Sequence, residues 1–591
     1  MKKLLSQNIL IRTLSRLYKA FPANFRRKSI WVMLSQTLSS FLEIFGLATL
    51  LPVFSVIMEE NAIEDREYLR IMYHTLGFHD KTQFVIALCA VIISMIVAKN
   101  IINLCIKYFE ANFSFSLYQY FSGQLQRYYY QQGFLFLKDQ NSNELVRDVN
   151  EVTMRFGRNL VLPVLNFLNE IVVTILILGA LLAYSPQSVL LIIAIILPTF
   201  LLFYRIVRTR LQKLQLDFHA LKAELTKSLY ESIFGYVDVQ INNREEYFFN
   251  QYEKQVEKSK KIQTWLYVLN QTPLRVIETT MVLGILVLVL YGLTFMEDKG
   301  SLTLLLGLLV LAAYRILPSV NRMLVALLEI KGNEYTIGIM EQVKSLQPQL
   351  RETAPAMTFE REIQFKNLSF SYKGRQEKVL DELSFQVNKG EAIGLIGKSG
   401  SGKTTFANIL LRFLKETGGE IKVDDTELTG DNIQAWRQLL GYVQQEVFLI
   451  DGTLAENICF GHSVVDEKRI YEVLRQASLT EVVEKLPQGI YTRIGERGAQ
   501  LSGGQRQRVG IARALYSGAQ ILVFDEATSA LDSDTETEIT EAIQQLSAEN
   551  LTMFIIAHRV TTLKYCDRII ELDKGKINKM HSYKDLIVSH L

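Results

Sequence analysis

Gly397-Lys398-Ser399-Gly400-Ser401-Gly402-Lys403-Thr404 stands between a strand-like run, Glu391 to Ile396, and a helical stretch that reaches Phe413. Strand, glycine-rich turn, then helix is the setting in which the spacing GxxxxGK[ST] binds phosphate. The glycines let successive backbone N–H groups and the helix N-terminus converge on phosphate oxygens. Lys403 then reaches the β/γ oxygens as a point charge, and the Thr404 hydroxyl is placed to ligate magnesium.

Further along, the apolar run Ile521-Leu522-Val523-Phe524 ends in Asp525-Glu526. A buried strand of this kind delivers carboxylates to its C-terminal end, where open α/β sheets bind ligands. Asp525 suits the magnesium shell, and Glu526 suits activation of an attacking water. Leu501-Ser502-Gly503-Gly504-Gln505 lies shortly before them. With these three motifs, residues 358–591 resemble an ATP-binding-cassette (ABC) ATPase, which implies ATP and Mg2+ as cofactors.

The resemblance carries further positions. Thr405 extends the phosphate loop, and Tyr372 takes the place of the aromatic that stacks on adenine. Gln445, in Tyr442-Val443-Gln444-Gln445-Glu446-Val447-Phe448, matches the glutamine that touches magnesium and reports to a membrane domain, with Gln444 as its neighbour and alternative. His558 matches the histidine that holds the γ-phosphate, so Lys403, Glu526 and His558 form the expected catalytic set, with Thr404, Gln445 and Asp525 around magnesium. Thr492 to Gly498 resembles an exporter-type loop, and Ser529 to Asp532 the segment that crosses between subunits. In this family ATP lies between the phosphate loop of one subunit and the Ser502-Gly503-Gly504-Gln505 signature of the other. One copy of each per chain implies a dimer; a second copy of the same chain is the simpler partner, an unseen different chain the alternative.

The other half is of different character. The chain has 591 residues, 49% of them hydrophobic and 21% charged, and its mean hydropathy is +0.14. A bilayer core of ~30 Å needs about 20 apolar residues in a helix. Six such runs precede residue 335, near 30–56, 84–106, 159–184, 186–204, 266–296 and 302–330. They predict an α-helical six-span transmembrane domain over 1–339, a linker over 340–357 around Pro348 and Pro355, and an α/β nucleotide-binding domain over 358–591. Arg26, Arg27 and Lys28 before the first span, and Arg205, Arg208, Arg210 and Lys213 after the fourth, mark the cytoplasmic side. Both termini and the ATPase domain are thus expected inside, at an inner (plasma) membrane. The polar stretches 107–158 and 205–261 predict helices running far into the cytoplasm, with coupling segments near Asn141 to Arg147 and Tyr230 to Val237.

Lys+Arg 64 against Asp+Glu 61 gives a net charge of +3, too balanced for a nucleic-acid binder. The four cysteines form no CxxC pair and predict no disulfide framework. The seven histidines form no zinc pattern.

Six spans fused ahead of one cassette resemble half-size exporters and flippases. Phe45 to Pro52 and Tyr314 to Arg322 resemble the corresponding spans of PglK-like flippases, and Tyr68 to Leu76 their short external helix. That resemblance implies lipid-linked oligosaccharide as cargo; a polyspecific lipid, peptide or drug exporter is the alternative. Ionisable groups in the membrane are costly and mark functional candidates. Lys99, Arg315 and Arg322 are the candidates for a cavity that receives a phosphate or pyrophosphate head. Against this stands pairing of Arg315 or Arg322 with Glu170 or Glu43. Arg275 and Glu278, three apart on one helix, are expected to pair with each other.

Overall fold

A computed structural model describes the chain apart from residues 1–8, 50–51, 54–55, 57–61, 76, 185, 296–298, 344–356, 375–376, 463, 528–532, 558 and 591, and some side chains within helices, Arg315 among them. It divides into two units: Met1–Gln132 with Gln140–Gln347, and Gly133–Asp139 with Pro348–Leu591.

The first unit is helical. Its long helices are α1 (Ala23–Ala48), α2 (Lys81–Gln131), α3 (Leu162–Tyr184), α4 (Pro186–Phe234), α5 (Glu245–Phe295) and α6 (Lys299–Asn333), and most of each apolar run overlaps one of them. At 1.5 Å per residue the 51 residues of α2 extend ~75 Å, against ~30 Å of hydrocarbon. Most of such a helix must leave the membrane. Lys81–Gln131 and Ser142–Gly179 are each long and apolar enough to cross among the described residues. On α2 the apolar residues face both ways: Phe84, Leu88 and Ile92 are buried, whereas Ile86, Ile93 and Leu104 are exposed. A helix apolar all round suits lipid on its outer side.

The interior is set by spacing. Ile316, Val320, Leu324 and Leu328, four apart on α6, pack with Val173 and Ile177 of α3, Val207 and Leu211 of α4, and Leu269 and Ile277 of α5. The short helix Glu67–Thr75 turns Leu69 inward onto Phe84 and Leu88, and Tyr73 meets Phe84 edge-on at 5.2 Å. Tyr68, Ile71 and Met72 stay exposed.

One boundary differs from expectation. Helix Tyr335–Val343 runs past 339, so positions 340–343 of the expected linker are helical. The cause is an apolar stripe, Ile337, Met340 and Val343, all buried. In addition, Asn141 caps helix Ser142–Arg147 inside the first unit, and it is Phe134–Asp139 that belongs with the second. Gly133, at φ +83, ends the preceding helix. Phe134 then stacks on Phe413 at 5.1 Å and 18°.

In the second unit, β1 (Glu362–Phe370), β2 (Leu380–Asn388), β4 (Gly418–Val423) and β5 (Thr426–Glu427) form an antiparallel sheet in the order β2-β1-β4-β5. β3 (Ala392–Ile396), β6 (Leu440–Val443), β7 (Ile521–Asp525), β8 (Thr552–Ile556), β9 (Arg568–Asp573) and β10 (Lys576–His581) form the other, ordered β10-β9-β3-β8-β7-β6. All its pairs are parallel except β10 with β9. Every residue of β7 and β8 is buried, which is why Ile521 to Phe524 and Met553 to Ile556 read as apolar runs. The sheet aligns the C-terminal ends of β3 and β7, with Leu395 level with Ile556 and Ile556 level with Asp525.

Trp436 anchors the adjoining core: it is fully buried and donates its indole N–H to the Leu410 carbonyl at 2.7 Å. Trp436→Ala should destabilise this unit by about 3–5 kcal/mol, measured as a lower denaturant midpoint. A midpoint equal to the parent's would show that the indole does not hold this core.

Candidate nucleotide site

β3 ends at Ile396, and α7 (Lys403–Leu410) begins directly after the glycine turn. Gly402 caps α7 at φ +107, where a Cβ would lie 2.6 Å from the Leu380 side chain and 2.9 Å from the Val379 carbonyl. At Gly397 a Cβ would come within 2.3 Å of the Leu572 carbonyl. Neither position admits a side chain, so the loop stays tight and its N–H groups stay accessible. Lys403 folds back over it, donating to the carbonyls of Gly397 at 2.8 Å and Lys398 at 3.3 Å. Burial pulls the Lys403 ammonium below its ordinary pKa, while the charges of Glu526 and Asp525 pull it back up. Ser401 Oγ is buried without a hydrogen-bond partner among the described residues. An orphaned hydroxyl in a loop that carries a buried ammonium fits an incoming phosphate. Lys398, Ser399, Gly400 and Thr404 are exposed around it.

Thr405 is buried one residue further on, and its hydroxyl meets the Tyr372 phenol at 3.4 Å. The Tyr372 ring is half-buried, edge-on to Phe370 at 5.0 Å.

From the next-but-one strand β7 brings Asp525, 9% exposed, which accepts from the Tyr442 phenol at 3.1 Å. Burial raises the Asp525 pKa; the Tyr442 hydrogen bond opposes this, and the Glu526 charge adds to it. Two adjacent carboxylates with one buried lysine leave an excess of negative charge, which suits a divalent cation. Among the described residues no three His, Cys, Asp or Glu groups gather to hold a metal. That donor set suits Mg2+, which uses one or two carboxylates plus substrate phosphates rather than a protein cage. Glu526 sits at φ +51, sparsely populated for a residue with a Cβ, and its N–H is tied to the Ile556 carbonyl at 2.9 Å. The strand pair thus over-determines where Glu526 leaves the sheet.

The signature motif opens α8 (Gly503–Tyr516). Ser502 Oγ accepts from the Gln505 N–H at 3.2 Å, and Gln505 Oε1 accepts from the Ser502 N–H at 3.0 Å. This reciprocal cap occupies both side chains and leaves the backbone of Gly503 and Gly504 at the helix N-terminus. Gln444 and Gln445 are exposed, and their carbonyls accept from the Gln507 amide. Tyr442 and Gln507 carry no sequence signal of their own. His558 and Ser529 to Asp532 lie outside the described residues.

In the first unit Arg322 Nε donates to Glu170 Oε1 at 2.6 Å, with the Arg322 side chain 47% exposed and that of Glu170 only 6%. Glu170 Oε2 is buried without a hydrogen-bond partner among the described residues. Lys99 is half-buried with its chain against Gly46, where a Cβ would lie 3.0 Å from Lys99 Cδ. The Arg315 side chain lies outside the described residues. Arg275 and Glu278 do pair, at 3.1 Å.

Two family models match this chain: the ABC transporter transmembrane region over residues 29–318, and the ABC transporter over residues 380–529. The ATP-dependent lipid A-core flippase of Paraburkholderia xenovorans (strain LB400) is 32% identical over 463 residues, 75% of this chain and 74% of the relative. The uncharacterized ABC transporter ATP-binding protein YwjA of Bacillus subtilis (strain 168) is 41% identical over 225 residues, 38% of this chain and 39% of its own length. A bacterial Atm1-family ABC exporter solved with ATP bound shares the fold, with a TM-score of 0.74 and 22% identity over 97% of both chains. A helical membrane region and an ATPase cassette thus follow one another in a single polypeptide, and the chain belongs to the ABC transporters as a half-size exporter that couples ATP hydrolysis to transport.

Proposed function

We propose that two copies of this chain form an ATP-driven flippase for a phosphorylated glycolipid, with the cassettes and both termini on the cytoplasmic side of a bacterial-type inner membrane. The observation that carries the cargo class is the Arg322–Glu170 pair. Glu170 is buried in the helical unit and fixes one edge of a guanidinium that remains half exposed. A guanidinium held at Nε keeps further N–H donors for a phosphate oxygen. Within the nucleotide site, Gly397 to Gly402 cradle the phosphates, Lys403 and Thr404 follow at the head of α7, and Tyr372 supports the adenine. Thr404, Gln445 and Asp525 would hold magnesium, which when bound neutralises charge on the β- and γ-phosphate oxygens. Glu526 orients and polarises the attacking water, and His558 contacts the γ-phosphate. Ser502, Gly503, Gly504 and Gln505 close the site of the partner.

The sequence resemblance favours a polyprenyl-pyrophosphate glycan. The relatives named lipid A-core flippases favour a second reading, a phosphorylated lipid A glycolipid. Both present a phosphate to Arg322. In reconstituted vesicles Arg322→Gln should reduce flipping of the preferred glycolipid at least tenfold while ATP hydrolysis falls far less, about 1.5–3 kcal/mol being typical of a charged hydrogen bond. Glu170→Gln removes the competing charge and should keep flipping. Equal loss of folding, hydrolysis and flipping in both variants would make the pair purely structural. Normal flipping by Arg322→Gln, or stimulation by neutral drugs alone, would support a polyspecific exporter.

A further inference from the structure

On α8, one face looks back into its own subunit. Gln507 is 5% exposed, and its Nε2 donates to the carbonyl of Gln444 at 3.1 Å and to that of Gln445. Its Oε1 is buried with no hydrogen-bond partner among the described residues, so these two donations are what hold the amide. Three residues on, Gly510 makes room for Val447: a Cβ there would lie 2.9 Å from Val447 Cγ2. Three further, Arg513 donates from Nη1 to the Phe448 carbonyl at 2.8 Å and from Nε to the Asn457 carbonyl at 2.8 Å. Its guanidinium lies 4.1 Å from the Phe460 ring centroid. The Asn457 side chain in turn clamps Ile450, accepting from its N–H at 2.9 Å and donating to its carbonyl at 3.0 Å. Spacing of three places Gln507, Gly510 and Arg513 along one side of the helix. The segment from Gln444 to Ile450 is therefore fastened to α8 at its start, middle and end.

The two fastened parts serve different nucleotides under the dimer reading, on which this inference rests. Gln445 belongs to the site built on its own phosphate loop, whereas the N-terminus of α8 closes the site of the partner. We infer that Gln507, with Gly510 and Arg513, is a positioning residue that transmits a displacement of Gln445 at one ATP to the signature motif at the other, making hydrolysis at the two sites cooperative. Nothing in this role requires Gln507 to touch nucleotide. A pair of neutral hydrogen bonds is worth about 1 kcal/mol each, enough to shift a two-state arrangement by tenfold or more.

The test uses the purified full-length dimer. Gln507→Met keeps the length of the side chain and removes the donor. Its kcat for ATP is expected to fall roughly tenfold and its Hill coefficient towards one, since the lost interactions act between sites rather than on binding. ATP affinity, measured by binding in a Glu526→Gln background, is expected to stay within about twofold of the parent. Gln507→Glu provides a second readout. A carboxylate there accepts rather than donates, so both hydrogen bonds to the carbonyls are lost and cooperativity should be lost as in Gln507→Met. A dimeric, cooperative parent whose Gln507→Met and Gln507→Glu variants keep its kcat and Hill coefficient would overturn the coupling alone. A parent that hydrolyses ATP at full rate as a monomer would overturn the dimer reading, and the coupling with it.

Discussion

Glu526→Gln is expected to lower ATP turnover by about 10²–10⁴-fold, the range over which a positioned general base acts. Binding should survive, because the amide has the shape of the carboxylate and the proposed phosphate cradle, the loop from Gly397 to Gly402 with Lys403, is untouched. The variant should therefore accumulate as a closed dimer with ATP retained, and single-turnover assays should show no hydrolysis burst. The geometry supports this: Glu526 leaves β7 at φ +51 with its N–H bound to the Ile556 carbonyl, so the substitution leaves the backbone arrangement in place. A Glu526→Gln protein that turns over ATP at the parental rate would remove Glu526 from the chemistry.

The second large effect concerns assembly. Lys403→Ala deletes the buried ammonium that lies over the loop carbonyls, and Ser502→Arg places a long cation at the reciprocal cap that opens α8. Either homodimer carries two damaged sites and should close on no nucleotide. Under the proposed dimer, joining the two in one mixed dimer places both defects in the same composite site and leaves the other whole. One ATP retained per mixed dimer, with none in either homodimer, is the expected result of nucleotide-retention measurements. If the mixed dimer retains none, or if each homodimer retains one, the sites are not shared.

What the sequence made legible follows from how locally each feature is encoded. The phosphate loop needs its glycines, lysine and threonine within eight consecutive positions, and the close approaches at Gly397 and Gly402 explain why those two cannot be replaced. Strands β7 and β8 are legible because burial on both faces leaves an apolar run of four in each, Ile521 to Phe524 and Met553 to Ile556. The features that escaped depend on pairing across the chain. Gln507 reaches its carbonyl partner 63 residues away, and on sequence alone it is one more polar residue in Gln505-Arg506-Gln507-Arg508. Tyr442 finds Asp525 across 83 residues. The Phe134–Asp139 segment also escapes a sequence reading, because its apolar run Phe134-Leu135-Phe136-Leu137 reads as more of the preceding helix, although Gly133 at φ +83 ends that helix. Arg322 lay between two readings, a cargo contact or a partner for Glu170. The structure pairs it with Glu170 and leaves half its surface open, so the ion pair and the cargo role are compatible.

That combination makes glycolipid flipping the decisive measurement. A fluorescent polyprenyl-pyrophosphate glycan and a fluorescent phosphorylated lipid A are each placed in vesicles with the purified dimer, and loss of outer-leaflet fluorescence to a membrane-impermeant quencher is followed after ATP addition. Movement of at least one of these glycolipids is expected that requires hydrolysable ATP, disappears in Glu526→Gln, and falls at least tenfold in Arg322→Gln with hydrolysis largely kept. Vigorous ATP hydrolysis with neither glycolipid moved, alongside ATP-driven movement of an uncharged amphiphile, would contradict the proposed cargo class.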